Sequence, residues 1–198
     1  MNVFQEILIY IVETIGMLFL LFVILRFLLQ LARADFYNPI SQATQKITNP
    51  LLIPLRKIIP GLFGVDFACI VLALLVQLTI GELIALIATQ SFLNPVNLMI
   101  WGALGILNVT IYIGIGCIII MVISSFVAPY STHPVLTIVR QLMEPLIAPV
   151  QKIIPSVGGL DFSVMFVGMF LFIVQKLLYA LASGSGINSA LAPLVIGF

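Results

Sequence analysis

The stretch PISQATQKITNPLLIPLRKIIPGLFGVDF, residues 39–67, decides the fold because it returns as PVLTIVRQLMEPLIAPVQKIIPSVGGLDF at residues 134–162. The copies keep a constant offset of 95 positions (134 minus 39), with prolines, Lys-Ile-Ile-Pro, a glycine and Asp-Phe in register. Such self-similarity indicates a duplicated structural unit. The candidate site residues of the repeated motif are Asn49, Pro50, Pro54, Arg56, Lys57, Pro60, Asp66, Pro145, Pro149, Lys152, Pro155 and Asp161.

The composition predicts a membrane protein. Hydrophobic residues make up 62% of the 198-residue chain and charged residues only 8%, with a mean hydropathy of +1.28. Soluble domains carry about 25% charged residues. A net charge of +1 gives no reason to expect a nucleic-acid partner.

Four apolar runs are long enough to cross a bilayer, which takes roughly 20 residues. They lie at about 3–29, 67–88, 98–123 and 162–182. We therefore predict an all-α membrane protein with two parallel tandem modules, residues 1–90 and 91–198, joined by the turn-rich loop 89–97. Each module is expected to be a span, an amphipathic segment (39–60 or 134–155) and a second span.

The positive charges predict the orientation of the chain. Cytoplasmic loops carry an excess of lysine and arginine. The loop cations all fall in the two repeated segments and the residues just before them: Arg33, Lys46, Arg56, Lys57, Arg140 and Lys152. Both segments are thus expected in the cytoplasm and both termini outside.

Apolar residues recur every three or four positions along both repeated segments, for example Ile47, Leu51 and Leu146. This spacing is typical of a helix lying in the membrane interface. Internal prolines break helices, so each segment is expected to be two short helices with a bend at the proline pair. In the first segment Asn49 would cap the second helix. The alternative is a pair of connectors without further role.

Polar residues inside the spans are candidates for function because they are costly in hydrocarbon. They are Glu13, Glu82, Asn108 and Lys176, and Arg26 lies nearer a span end. One interpretation is a polar track for an ion or solute. The favoured alternative is a structural Glu82–Lys176 pair that holds helices together. Arg26 is expected to snorkel to the cytoplasmic headgroups.

The remaining reactive residues give no case for catalysis. Asp66 and Asp161 stand where a turn becomes a helix, which predicts N-capping carboxylates. His133 is the only histidine, and Cys69 and Cys117 lie in apolar runs as expected for buried thiols. We therefore expect no metal, no cofactor and no enzyme activity.

The pattern Asn-Pro, Pro, Arg-Lys-Ile-Ile-Pro and then Asp-Phe at the start of a span resembles the YggT family of bacterial membrane proteins. The resemblance covers nearly the whole chain. The second copy departs from the pattern at Glu144, Ala148 and Gln151, so a role that needs the asparagine or arginine exists once. The resemblance implies an integral membrane protein without known catalytic activity, linked to osmotic-stress tolerance and to membrane or division organisation.

Two classes of function follow. The first is a non-catalytic scaffold or assembly factor of the inner membrane, whose amphipathic segments contact lipid, other membrane proteins or a second copy. The alternative is a solute or ion channel that works as an oligomer.

Overall fold

The two modules form matching sets of three helices in a computed structural model that describes residues 2–61, 64–154 and 162–184. The first set is α1 (Val3–Leu31), α2 (Pro39–Ile58) and α3 (Phe67–Thr89). The second set is α4 (Pro95–Val127), α5 (Pro134–Ile153) and α6 (Phe162–Gly184).

Four of these helices, α1, α3, α4 and α6, are long and apolar enough to cross a membrane. They confirm the four predicted spans, with ends within four residues of the expected ones. Exposed apolar side chains such as Phe4, Leu107 and Phe170 cover their outer surface, as lipid-facing helices require.

Three of the helices, α2, α4 and α5, begin where the sequence supplies a cap followed by proline. Asn38 Oδ1 accepts a hydrogen bond from the Ile40 amide at the start of α2, and Asn94 does the same for α4. His133, which aligns with Asn38, caps α5 through Nδ1. Proline at the first helical position needs no donor there and fixes a helical φ.

The repeated segments α2 and α5 are each one continuous helix, so the predicted break at the prolines is wrong. Pro50 and Pro54 are exposed, one turn apart, on the outer side of α2, and Pro145 and Pro149 are exposed on α5. Carbonyl groups that lose their intrahelical donor there can be satisfied from outside the bundle, which removes part of the cost of an internal proline.

The helices pack in a fixed order. α1 contacts α2, α3, α4 and α5, and α4 contacts α1, α3, α5 and α6. α3 and α6 do not touch each other, and α4 packs against both of them. α2 and α5 meet at one end of the bundle, where Asn38 Nδ2 donates to the Pro134 carbonyl at 2.9 Å and the Asp35 amide donates to Gln141 Oε1 at 3.0 Å.

Close helix packing in the spans depends on glycine. A Cβ at Gly16 would lie 2.1 Å from Ile80 Cδ1, and one at Gly81 would lie 2.8 Å from Leu98 Cδ1. Lipid tails are as apolar as leucine, so shape complementarity rather than apolar burial holds spans together. Each module has its own packed cluster, around Leu20 and Leu72 in the first and around Ile118 and Val167 in the second.

Candidate functional site

A polar cleft of about 660 Å³ opens between the end of α1, the inner side of α2 and the residues that precede α3. Three arginines and one carboxylate line it: Arg26, Arg33, Arg56 and Asp66. The described lining has no other charged side chain, so the cleft carries two more positive than negative charges (three minus one).

Arg26 is the innermost cation of the cleft. It is 7% exposed, and its Nη1 donates to Thr48 Oγ1 at 2.6 Å and to Asn49 Oδ1 at 2.7 Å. The sequence predicts an Arg26 that snorkels freely to the headgroups, whereas in the structure acceptors on α2, which packs against α1, hold its guanidinium in place. Asn49, expected to cap a helix, holds this guanidinium instead.

Arg56 and Asp66 form an ion pair at the other wall. Arg56 Nε lies 3.0 Å from Asp66 Oδ2, Nη2 donates to the same oxygen, and Cys69 Sγ donates to it at 3.2 Å. Burial raises the pKa of the Asp66 carboxyl, but the hydrogen bonds from Arg56 and Cys69 and the charge of Arg56 outweigh it and leave the pKa below its usual value.

Asp66 does not cap α3, contrary to expectation, although it stands at the N-cap position. Its carboxylate points to Arg56 instead, since a full charge outweighs the partial charges of a helix terminus. Asp161, its counterpart in the second copy, lies outside the described residues, as does Pro155.

Arg33 lies at the rim of the cleft in a strained backbone conformation. The Ala34 amide donates to the Leu29 carbonyl and the Arg33 amide to the Gln30 carbonyl, the pattern of a Schellman C-cap. Arg33 has φ 51°, at a position that favours glycine. A non-glycine residue in this region costs about 1–2 kcal/mol.

Ser41 and Thr44 form the polar floor on α2. Thr44 Oγ1 donates to the Ile40 carbonyl of its own helix. Ser41 is 4% exposed, and its Oγ has no hydrogen-bond partner. A buried hydroxyl without a partner is unfavourable, and Ser41 is among the residues that line the cleft.

The second module replaces this cleft with an apolar one. The positions that match Arg26, Arg33, Thr44 and Thr48 hold Met121, Ala128, Val139 and Met143, and Gln151 stands in place of Arg56. The cavity there, about 1040 Å³, is lined mostly by apolar side chains such as Met121, Phe126 and Phe172, with Arg140 and Lys176. Among the described residues, this set of arginines and hydroxyls is therefore found in the first module alone.

The intramembrane polar residues do not form a track. Glu82 Oε1 accepts from the Leu93 amide at 3.3 Å in the loop between the modules. Lys176 is exposed on α6, which does not contact α3. The expected Glu82–Lys176 pair is therefore wrong, and α4 separates the two. Glu13 is half-buried on α1.

Asn108 is the one of these four that is fully buried, and neither Nδ2 nor Oδ1 has a protein partner. Gln77, which the sequence reasoning missed, is buried in the same way on α3. Its position opposite Gly102 of α4 lets the amide enter the helix interface. Gln77 could have been identified from the sequence as a polar residue inside an apolar run.

The remaining motif residues lie on the surface. Lys57, Pro60 and Lys152 are exposed near the ends of α2 and α5. Both cysteines are buried free thiols, as expected. Within residues 2–61, 64–154 and 162–184, no group of three or more metal-ligating side chains comes together.

Comparison with known proteins agrees with the duplicated architecture. The family described as CCB3/YggT matches the chain twice, over residues 5–87 and 100–182. An uncharacterized protein of Pseudomonas aeruginosa is 43% identical over 170 residues, 85% of this chain and 86% of the relative. The uncharacterized protein YggT of Escherichia coli K12 is 32% identical over 169 residues, 84% of this chain and 86% of the relative. No solved structure matches the chain significantly.

Proposed function

Because this chain belongs to the CCB3/YggT family, we propose that it is a non-catalytic scaffold of the bacterial inner membrane. In this proposal α2 and α5 form a platform at the cytoplasmic surface, where they contact lipid and other membrane proteins or a second copy. Tolerance of osmotic stress and the organisation of the membrane or of division are the processes that the scaffold would serve.

One observation carries the proposal: α2 and α5 both carry apolar side chains on the sides that are turned away from the protein. Leu51 is 52% exposed and Ile153 is 79% exposed, and Ile58 and Leu146 are also exposed. The inner side of α2 is instead partly polar, with Thr48 buried. Apolar side chains turned outward at the ends of membrane spans need lipid or another protein to cover them.

The charges beside these surfaces support the same interpretation. Arg56 and Lys57 lie in the last turn of α2, and Lys152 lies in the last turn of α5. Cations near the ends of interfacial helices are attracted to the anionic lipids of the cytoplasmic leaflet, by about 1 kcal/mol each.

The platform is tested by placing carboxylates on its outer side. We expect Leu51→Asp combined with Leu146→Asp to lower the free energy of unfolding in liposomes by about 2 kcal/mol or more, since a buried leucine contributes about 1.5–3 kcal/mol. The same variant should fail to restore growth after osmotic upshift in a strain that lacks the gene. Gln42→Asp, on an exposed polar position of α2, is the matched control.

Water-facing leucines would give a different result. A surface substitution away from packing contacts changes stability by about 0.5 kcal/mol or less. If the double variant matches Gln42→Asp in both liposome stability and growth, the outer sides of α2 and α5 do not contact lipid or a partner. The proposal that they form a platform is then wrong.

The channel alternative is supported by the unpartnered amides of Gln77 and Asn108 inside the bundle. A flux assay separates the two functions. Liposomes that contain the purified protein should release K⁺ and small osmolytes no faster than empty liposomes. Release that depends on the protein would replace the scaffold with a solute pathway.

A further inference from the structure

We propose that the cleft of the first module binds the phosphate group of an anionic phospholipid. This goes beyond the scaffold and uses a different surface, the inner side of α2 rather than its outer side. The ligand class follows from charge, donors, position and the contrast between the modules.

The charge and donor set suit phosphate. Arginine presents planar donors that match phosphate oxygens. Arg26 uses Nη1 for Thr48 and Asn49, while its Nε and Nη2 make no hydrogen bond to the described residues. The Arg33 side chain likewise makes no hydrogen bond or ion pair within the described chain. Two guanidinium groups therefore have donors to offer, while Arg56 is held by Asp66.

The buried Ser41 hydroxyl is the second, independent sign of a ligand. It is 4% exposed, lines the cleft and has no partner. A hydroxyl is a good donor to a phosphate oxygen, and a bound anion would satisfy it. An apolar ligand would leave the buried Ser41 hydroxyl and the free donors of Arg26 without a partner.

The position of the cleft favours a lipid over a soluble anion. Arg26 lies five residues before the last residue of α1, about 7–8 Å along the helix axis at 1.5 Å per residue. Arg33 lies just past that end. The guanidiniums thus stand where a membrane-spanning helix leaves the hydrocarbon, the level of lipid phosphates. A volume of about 660 Å³ is within the usual range for small-ligand sites.

The second module serves as an internal comparison. The matching positions hold Met121, Ala128 and Leu136 in place of Arg26, Arg33 and Ser41. The second module therefore lacks counterparts of these three donors, although Arg140 and Lys176 line its own cavity. Because the combination of two arginines and a buried hydroxyl occurs in the first module alone among the described residues, we expect the bound lipid at that one site.

The test is native mass spectrometry of the full-length protein in detergent, titrated with phosphatidylglycerol or phosphatidylcholine. We expect one phosphatidylglycerol per chain, bound about tenfold more tightly than phosphatidylcholine. Arg33→Gly should weaken it about tenfold, the loss expected for one charge-assisted contact. Because glycine accepts the positive φ of Arg33, this variant should melt no lower than the parent. Ser41→Ala should weaken binding less.

Arg140→Gln is the matched control, since it removes one positive charge from the second module near the same end of the bundle. It should bind phosphatidylglycerol like the parent. Equal affinity for the two lipids, or equal losses in Arg33→Gly and Arg140→Gln, would overturn the site.

A parallel titration with inorganic phosphate distinguishes the source of the anion. At millimolar phosphate we expect no displacement of phosphatidylglycerol. Full displacement, together with a phosphate-dependent rise in melting temperature that Arg33→Gly abolishes, would assign the cleft to a soluble phosphate and overturn the lipid. Neither result bears on Leu51 and Leu146, so failure here leaves the platform standing.

Discussion

Replacing Arg56 with glutamine should lower the free energy of unfolding by about 2 kcal/mol at neutral pH. The change leaves the Asp66 carboxylate, 4% exposed, with Cys69 as its remaining partner. Breaking a fully buried pair costs about 3–5 kcal/mol, and the loss is smaller here because the Arg56 side chain is 42% exposed. Glutamine is the residue that the second copy carries at this position, Gln151.

Replacing Asp66, the other member of the pair, should lower the free energy of unfolding by less. In Asp66→Asn the half-exposed Arg56 can turn to water, so we expect a loss of about 1 kcal/mol or less, in the range of exposed ion pairs. The double variant should then be more stable than the sum of the two single losses predicts. Denaturation of all four proteins in one detergent measures this. Additive losses would mean that the two residues do not interact.

The pH dependence of Arg56→Gln should have the opposite sign to that of the parent. In the parent the pKa of Asp66 lies below its usual 3.8, so the pair stabilises the fold above that usual value and is lost as pH falls through the folded-state pKa. In the variant, burial without Arg56 raises the pKa, so the folded state binds the proton more tightly and gains stability as pH falls from neutral toward about 4. Parallel pH profiles would contradict this.

Asn108→Val should raise the free energy of unfolding by about 1–3 kcal/mol. Asn108 is 0% exposed, and neither atom of its amide has a protein partner. A buried polar group without a hydrogen bond costs about that much, and valine is close to asparagine in volume. Thr110→Val is the control. Its hydroxyl already donates to the Ile106 carbonyl of its own helix, so the change should be nearly neutral.

A destabilised Asn108→Val would show that the amide has a partner inside the bundle, such as water. Combined with release of solutes from liposomes, that result would favour the pathway over the scaffold. Thermal unfolding of both variants in the same bilayer makes the comparison.

The spans and the duplication could be predicted from the sequence because they depend on local properties. Apolar runs fix the spans, and the repeated motif led to the YggT resemblance, which the two family matches confirm. The helix caps follow from local sequence in part: Asn38 and Asn94 before proline are caps, whereas Asp66 makes no side-chain cap.

The site could not be predicted, because it depends on which helices meet. Arg26 becomes a buried group only where α2 crosses α1 and brings Thr48 beside it. The repeat places Glu82 and Lys176 at similar depths, but depth does not determine neighbours, and α4 stands between their helices. The predicted helix break at the prolines failed for a related reason. The energetic cost of a proline inside a helix depends on which side of the helix it faces, and these prolines face outward.

The most direct measurement asks whether α2 and α5 lie together on the cytoplasmic side. Single cysteines at Lys57, Lys152 and Ser91, in a protein without Cys69 and Cys117, are probed with a membrane-impermeant thiol reagent. On intact cells we expect labelling at Ser91, in the loop between the modules, and at the two lysine sites only after the membrane is opened. Labelling of Lys57 and Lys152 on intact cells, or of one without the other, would contradict a cytoplasmic platform built from two parallel modules.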